Sequence, residues 1–189
     1  MGLKVLFRAS NLTDVPLSQF QPTHLNRCRR LFEESIEFAK AGGYCDYTAG
    51  EDKNEDSAIT AARAVYEALK AGAPIENITI SSDGNGSMPV FDSKKRLVGL
   101  GIGRVSSLLD SLKAMVLRYD IPLDTALLTV TKNPAKIHRL EGKGAIKEGY
   151  DADLVVMDEN LNVKGVLAKG KWMVRDGKTE VFGTFEAWQ

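Results

Sequence analysis

The chain has 189 residues, 43% hydrophobic and 26% charged, a composition that suits one good globular core with a small appendix and excludes wholesale disorder. Its 25 basic and 25 acidic residues cancel to a formal net charge of zero, so composition offers no attraction for nucleic acid or an anionic membrane. Cys28 and Cys45 make neither a Cys-x-x-Cys pair nor a disulfide framework, no signal-like segment opens the chain and no apolar run could span a bilayer, so a cytoplasmic protein is expected.

Residues 3–12 space Leu3, Leu6, Phe7 and Leu12 for a short helix that Asp14, Val15 and Pro16 would end. An extended piece over residues 18–23 leads into the polar run Thr23, His24, Leu25, Asn26, Arg27. Leu31, Phe32, Ile36 and Phe38 then predict a helix closed by Gly42 and Gly43. The order recurs with a strand over residues 44–48, an acidic loop over 51–56 and a helix capped by Ser57, its face Ile59, Ala62, Val65, Tyr66 and Leu69. Gly72 and Pro74 stop that helix before the next strand, residues 78–82. Strands alternating with helices predict parallel βα units, about three of them.

That last strand is the most informative. Its β-branched run Ile78, Thr79, Ile80 continues through Ser81 and Ser82 to Asp83, and Gly84, Asn85, Gly86 and Ser87 follow at once. Two glycines within three residues let the backbone turn sharply and approach a ligand, and Asn85 tolerates a left-handed conformation between them. A carboxylate so placed fits either the catalytic end of a barrel strand or an ordinary turn in which Asp bonds its own backbone. Further on, Val105, Leu108, Leu109, Leu112, Met115, Val116 and Tyr119 predict the clearest amphipathic helix, a core element. Two more helices begin at Pro122 and near Pro134, the second carrying Ile137 and Leu140.

From Ala145 short apolar runs at 153–157, 163–168 and 171–174, separated by Gly149, Gly170 and Gly177, predict an antiparallel β appendix with Trp172 and Trp188 packed on it. The expected domains are residues 1–144 and 145–189. Taken singly, His24 does not define a metal site, and Arg27 is one more surface cation beside Arg29 and Arg30. His138, next to Arg139, is assigned no role.

Three stretches together change this picture. They are Pro22-Thr23-His24-Leu25-Asn26-Arg27, then Ser81-Ser82-Asp83-Gly84-Asn85-Gly86-Ser87, then Gly142-Lys143-Gly144 with Gly149-Tyr150-Asp151-Ala152-Asp153-Leu154-Val155-Val156. They resemble the C-terminal half of the isoaspartyl dipeptidases, a family within the amidohydrolase superfamily. The third stretch marks the superfamily and the first two the dipeptidases; the likeness extends to residues 170–174 and to the ending at 183–186. It implies an α/β fold, the C-terminal part of a (β/α)8 TIM-like metallo-hydrolase barrel plus a small antiparallel β appendix. It also implies a binuclear zinc enzyme that hydrolyses the β-aspartyl bond of an isoaspartyl dipeptide.

By the same resemblance His24 binds one metal, Asp83 binds the other and acts as general base, Arg27 grips the substrate's α-carboxylate and Ser87 contacts the substrate. Asn26 and the Asn85-Gly86 turn fall among the substrate contacts. These roles suit the residue types. Bound cations lower the pKa of water from 15.7 towards ~7, Asp83 can carry a proton from the attacking water to the departing amine, and the Arg27 fork matches a carboxylate as Lys cannot.

The departures from the family are equally informative. A His-x-His pair, a carboxylated bridging Lys and a further His belong to the complete site, yet the chain holds two His in all. A full barrel takes ~250 residues. The chain is therefore expected to be the second half of an enzyme, with an incomplete barrel, inactive alone, and dependent on an N-terminal half or on association into a homo-oligomer. Two alternatives stand beside this: a catalytically inactive remnant with a binding or structural role, and another amidohydrolase, dihydroorotase-like or aminoacylase-like.

Overall fold

Apolar spacing near the N-terminus is realised as two packed helices in the computed structural model of the chain, which describes residues 2–50, 59–94 and 96–183. Helix α1 (Lys4–Leu12) lays Phe7 edge-to-face on Phe38 at 5.4 Å. Helix α2 (Arg29–Lys40) buries Phe32, Ser35, Phe38 and Ala39, one stripe of a 3.6-residue period. It ends where Gly42 takes φ 93°, and Gly43 lies so close to the Phe38 ring that a Cβ there would run into it.

Helix α3 (Ala61–Lys70) begins one turn later than expected. Its cap is Thr60, whose hydroxyl accepts the Arg63 N–H at 3.1 Å. Ser57, the acidic loop, the chain beyond Gly183 and Trp188 lie outside the described residues. The buried face of α3 is Ala61, Ala62, Ala64, Val65 and Ala68, small side chains that permit close approach.

Strands β1 (Cys45–Thr48) and β2 (Ile78–Ser81) pair in parallel, from Cys45 opposite Ile78 to Thr48 opposite Ser81. Residues 20–23 run beside β1 as an extended segment, with the Tyr44 and Asp46 N–H groups donating to Phe20 O and Pro22 O at 3.2 and 3.1 Å. On the other side of β2, the Ile80 N–H donates to Thr129 O at 3.0 Å. Because strand side chains alternate, this pair has two unlike faces. Cys45, Tyr47, Ile78 and Ile80 are buried on one of them, where Tyr47 bonds Ser35 of α2 through its hydroxyl at 3.1 Å. The other presents Asp46, Thr48, Thr79 and Ser81. Parallel strands covered on both faces are ordinarily apolar on both, so a hydrophilic face marks this one for another use.

A hairpin follows that sequence patterning does not reveal: β3 (Ser87–Phe91) pairs antiparallel with β4 (Leu97–Ile102). Leu97, Val98, Leu100 and Ile102 are all exposed, so no buried face imposes the alternation from which a strand is read. Helix α4 (Ser107–Leu117) buries Leu112 and Met115 as expected; Val105 lies outside it and is 59% exposed, a correction to the predicted face. Helices α5 (Leu123–Leu128) and α6 (Lys132–Ile137) complete the α elements, with His138 and Leu140 exposed past the end of α6.

The chain divides into two compact units, Met1–Pro134 and Ala135–Gln189. In the second, β5 (Leu154–Met157), β6 (Val163–Ala168), β7 (Lys171–Arg175) and β8 (Lys178–Thr179) form an antiparallel meander. Trp172 packs its ring on Gly165, where a Cβ would come within 2.7 Å of it. The glycine-rich stretch before β5 is a clasp. Lys143 bridges Asp151 and Asp153, and Asp153 also accepts the Lys169 N–H at 2.7 Å. The described strands make one parallel pair and two antiparallel sheets without closing a barrel, and no described helix is long and apolar enough to cross a membrane.

Candidate metal and substrate site

Two of the sequence-predicted residues stand just beyond extended segments, and both hold left-handed backbone. His24 follows residues 20–23 at φ 60°, and Asp83 lies two residues beyond β2 at φ 49°. His and Asp are among the few non-glycine residues enriched in that region, and such conformations persist where surrounding bonds over-determine them. Around Asp83 those bonds come from Gly86, whose N–H donates to Asp83 O at 3.1 Å, and from Gly103, which exchanges bonds with Asn85 and Gly86 at 2.9 Å each. Asn85 itself has φ 62°. The loop is thus an ordered turn pinned from the far end of the β3–β4 hairpin.

Arg27 reaches across to Asp83, with Nη2 3.5 Å from Oδ2, and both side chains are exposed. An exposed pair at this distance contributes little to stability. It engages one of five guanidinium donors, so the same fork can turn to a carboxylate brought in beside Asp83. Ser87 opens β3 opposite Ile102 and is exposed. The structure therefore brings Arg27 and Asp83 together and sets Ser87 at the start of the hairpin that continues the Asp83 loop.

His24 is held by a neighbour that sequence reasoning missed. Thr48 Oγ1 lies 2.7 Å from His24 Nδ1, leaving Nε2 as the ring atom for a ligand. A ligating imidazole is usually oriented this way, through a bond to its second nitrogen. Asn26 is a correction. Grouped with Arg27 as a substrate contact in the sequence, it is only 3% exposed and its side chain is spent on backbone. Its amide donates to Thr48 O at 3.0 Å and Ile59 O at 2.8 Å, and accepts the Thr48 N–H at 2.8 Å. Asn26 clamps the residue that holds His24.

The other missed residue is Asp46, 5% exposed in the middle of β1. Thr23 and Ser81 both donate to its Oδ2 at 2.6 Å, and Thr79 donates to Oδ1 at 2.8 Å while accepting from Gln21 Nε2 at 2.9 Å. Cys45 is no ligand candidate: burial pushes its thiol up to about 12, and Sγ faces Ser35 O on the apolar side of β1.

A nitrogen and a carboxylate are ligand types that zinc accepts, and His24 and Asp83 offer one of each. Among the described residues no three His, Cys, Asp or Glu side chains converge, so these two fit a share of a zinc site and not a whole one.

His24 and Asp83 thus stand just beyond extended segments of a parallel α/β unit, with Arg27 beside Asp83. Residues 22–173 match the Amidohydrolase family, and the chain belongs to it. A β-aspartyl dipeptidase from Fervidobacterium islandicum AW-1, solved in complex with a β-Asp-Leu dipeptide, is similar over 98% of this chain and 47% of its own, with 38% identity and a TM-score of 0.84. A second structure of a β-aspartyl dipeptidase from that organism gives 35% identity, 98% and 45% coverage, and a TM-score of 0.80. A dihydroorotase from Methanosarcina acetivorans is 30% identical over 114 residues, 55% of this chain and 24% of its own length. The chain thus spans just under half the length of the dipeptidases and about a quarter of that dihydroorotase.

Proposed function

We propose that this chain is part of a zinc-dependent hydrolase that cleaves the β-aspartyl bond of isoaspartyl dipeptides. Residues 1–144 would contribute the last βα units of a (β/α)8 barrel and residues 145–189 part of a small β domain. The observation that carries this is the meeting of Arg27 and Asp83 beyond the ends of two extended segments, on the loop sequence that resembles the dipeptidases. The 38% identity to a dipeptidase solved with β-Asp-Leu supports it.

Zinc, when bound, supplies a Lewis acid and a water that is nucleophilic near neutral pH. His24 would hold metal through Nε2, its ring fixed at Nδ1 by Thr48. Asp83 would be the second metal's ligand and the general base, taking a proton from the attacking water and passing it to the departing amine. Arg27 turns from Asp83 to the substrate's α-carboxylate, and Ser87 contacts the substrate from the hairpin. The remaining ligands would be supplied by other elements of the complete fold, and the protein would work in the cytoplasm, with an N-terminal half or association into a homo-oligomer completing the site.

Co-expression with the half of the Fervidobacterium enzyme that this chain does not match tests the assignment. Hydrolysis of β-Asp-Leu by the mixture, abolished in Asp83→Ala, is expected. Turnover of dihydroorotate instead would favour the second reading, which the 30% match to a dihydroorotase supports. A folded, stoichiometric complex with neither activity would identify an inactive remnant.

A further inference from the structure

We propose that Asp46 is the positioning residue of this site, holding the backbone on both sides of the gap between His24 and Asp83. The proposal rests on the functional reading above only in calling those two residues the site. Its basis is the bonding around His24. The Asp46 N–H donates to Pro22 O at 3.1 Å, its side chain accepts from the Thr23 hydroxyl at 2.6 Å, and its carbonyl accepts the Leu25 N–H at 3.2 Å. One residue therefore grips the chain before and after a His at φ 60°. Thr48, two residues along the same strand and on the same face, then takes the ring at 2.7 Å.

The other half of the grip is on β2. Asp46 lies opposite Thr79 in the parallel register, and accepts from Thr79 and Ser81, successive residues on one face of the strand. Two residues past Ser81 the chain enters Asp83 at φ 49°. A carboxylate buried in a strand costs free energy unless its oxygens are satisfied, and here three hydroxyls from two neighbouring segments converge on it. The isosteric amide, with one acceptor oxygen and an NH2 donor in place of the other, could not accept all three in this arrangement.

The test uses the full chain, amide hydrogen exchange read by mass spectrometry, and the variants Asp46→Asn, Thr23→Val and Ser81→Ala. Asp46→Asn should speed exchange in residues 23–27 and in 83–86 at least tenfold, with α2 and α3 unchanged. Thr23→Val should loosen only the first segment and Ser81→Ala only the second. Long-range nitrogen NMR of the imidazoles adds a readout that a merely structural tie would not move. His138→Gln assigns the two rings, and His24 should pass from one tautomer to a mixture in Asp46→Asn and in Thr23→Val. Exchange that rises evenly across β1, β2 and both helices, in step with a lower unfolding temperature, would make Asp46 a general strand tie and overturn the proposal. If Asp46→Asn does not fold, the near-isosteric Thr23→Val decides: unchanged exchange at 23–27 with an unchanged tautomer would overturn it equally. None of these measurements needs metal, substrate or turnover, so failure here and failure of the dipeptidase assignment are separate results.

Discussion

Gly103 packs against the Asp83 carbonyl so tightly that a Cβ there would lie 2.5 Å from the oxygen. Gly103→Ala should therefore displace the Asp83 turn and destabilise the chain by about 1 to 3 kcal/mol, the usual penalty of overpacking, measured by urea unfolding. The carboxylate itself is tested in the assembled enzyme, where Asp83→Asn should lower kcat by at least ~10², the lower end for a positioned proton-transfer group. Arg27→Lys keeps charge and loses the fork, so kcat/KM for β-Asp-Leu should fall by ~2 to 4 kcal/mol with zinc content unchanged. Zinc lost together with activity would instead make Arg27 a structural partner of Asp83.

Helix α3 and the clasp before β5 carry the tests that belong to elements. Thr60→Ala removes the only side-chain cap on α3 among the described residues and should cost about 1 kcal/mol by the same urea measurement. In the clasp, hydrogen bonds from Lys143 and then from the Lys169 N–H hold the Asp153 carboxyl below its ordinary 3.8, while bonds to Asp151 and Asp153 raise Lys143 above its ordinary 10.5. A depressed carboxyl stabilises the fold above its unfolded pKa and stops doing so as pH falls through the folded one; a raised amine does so below its unfolded pKa and stops as pH rises. Trp172 emission should accordingly report a β meander that loses the clasp's contribution below about pH 4 and above about pH 10, with the acid loss reduced in Asp153→Asn. The remainder is owed to Asp158, whose carboxyl is also held below its ordinary value by hydrogen bonds from Asn162. The elements differ in how far they could be read beforehand. The run into Asp83 was legible because a β-branched strand and a glycine turn adjoin in the chain. Asp46 was not, because its partners Thr23, Thr79 and Ser81 stand 23, 33 and 35 residues away and nothing local marks a carboxylate they will surround. The β3–β4 hairpin escaped because a ribbon exposed on both sides leaves no alternation to detect.

At the scale of the molecule, the exposed β3–β4 ribbon leads to one expectation. Its apolar side chains such as Leu100 and Ile102, each 73% exposed, favour association. The purified chain should sediment as more than a monomer, bind fewer than two zinc ions per chain by elemental analysis, and leave β-Asp-Leu intact until the complementary half is added. Two tightly held zinc ions with turnover from the chain alone would show that its site lies elsewhere. The division at Pro134 has a further consequence, for inheritance. Every residue assigned here to ligand, proton carrier, grip or scaffold of the site falls between Gln21 and Gly103, inside the first unit, and the β5–β8 meander supplies none. A genetic crossover near that boundary would hand this share of the site to a descendant undivided, whatever β module it acquired in exchange, whereas a crossover between Asp46 and Thr79 would separate a carboxylate from two of the three hydroxyls that hold it.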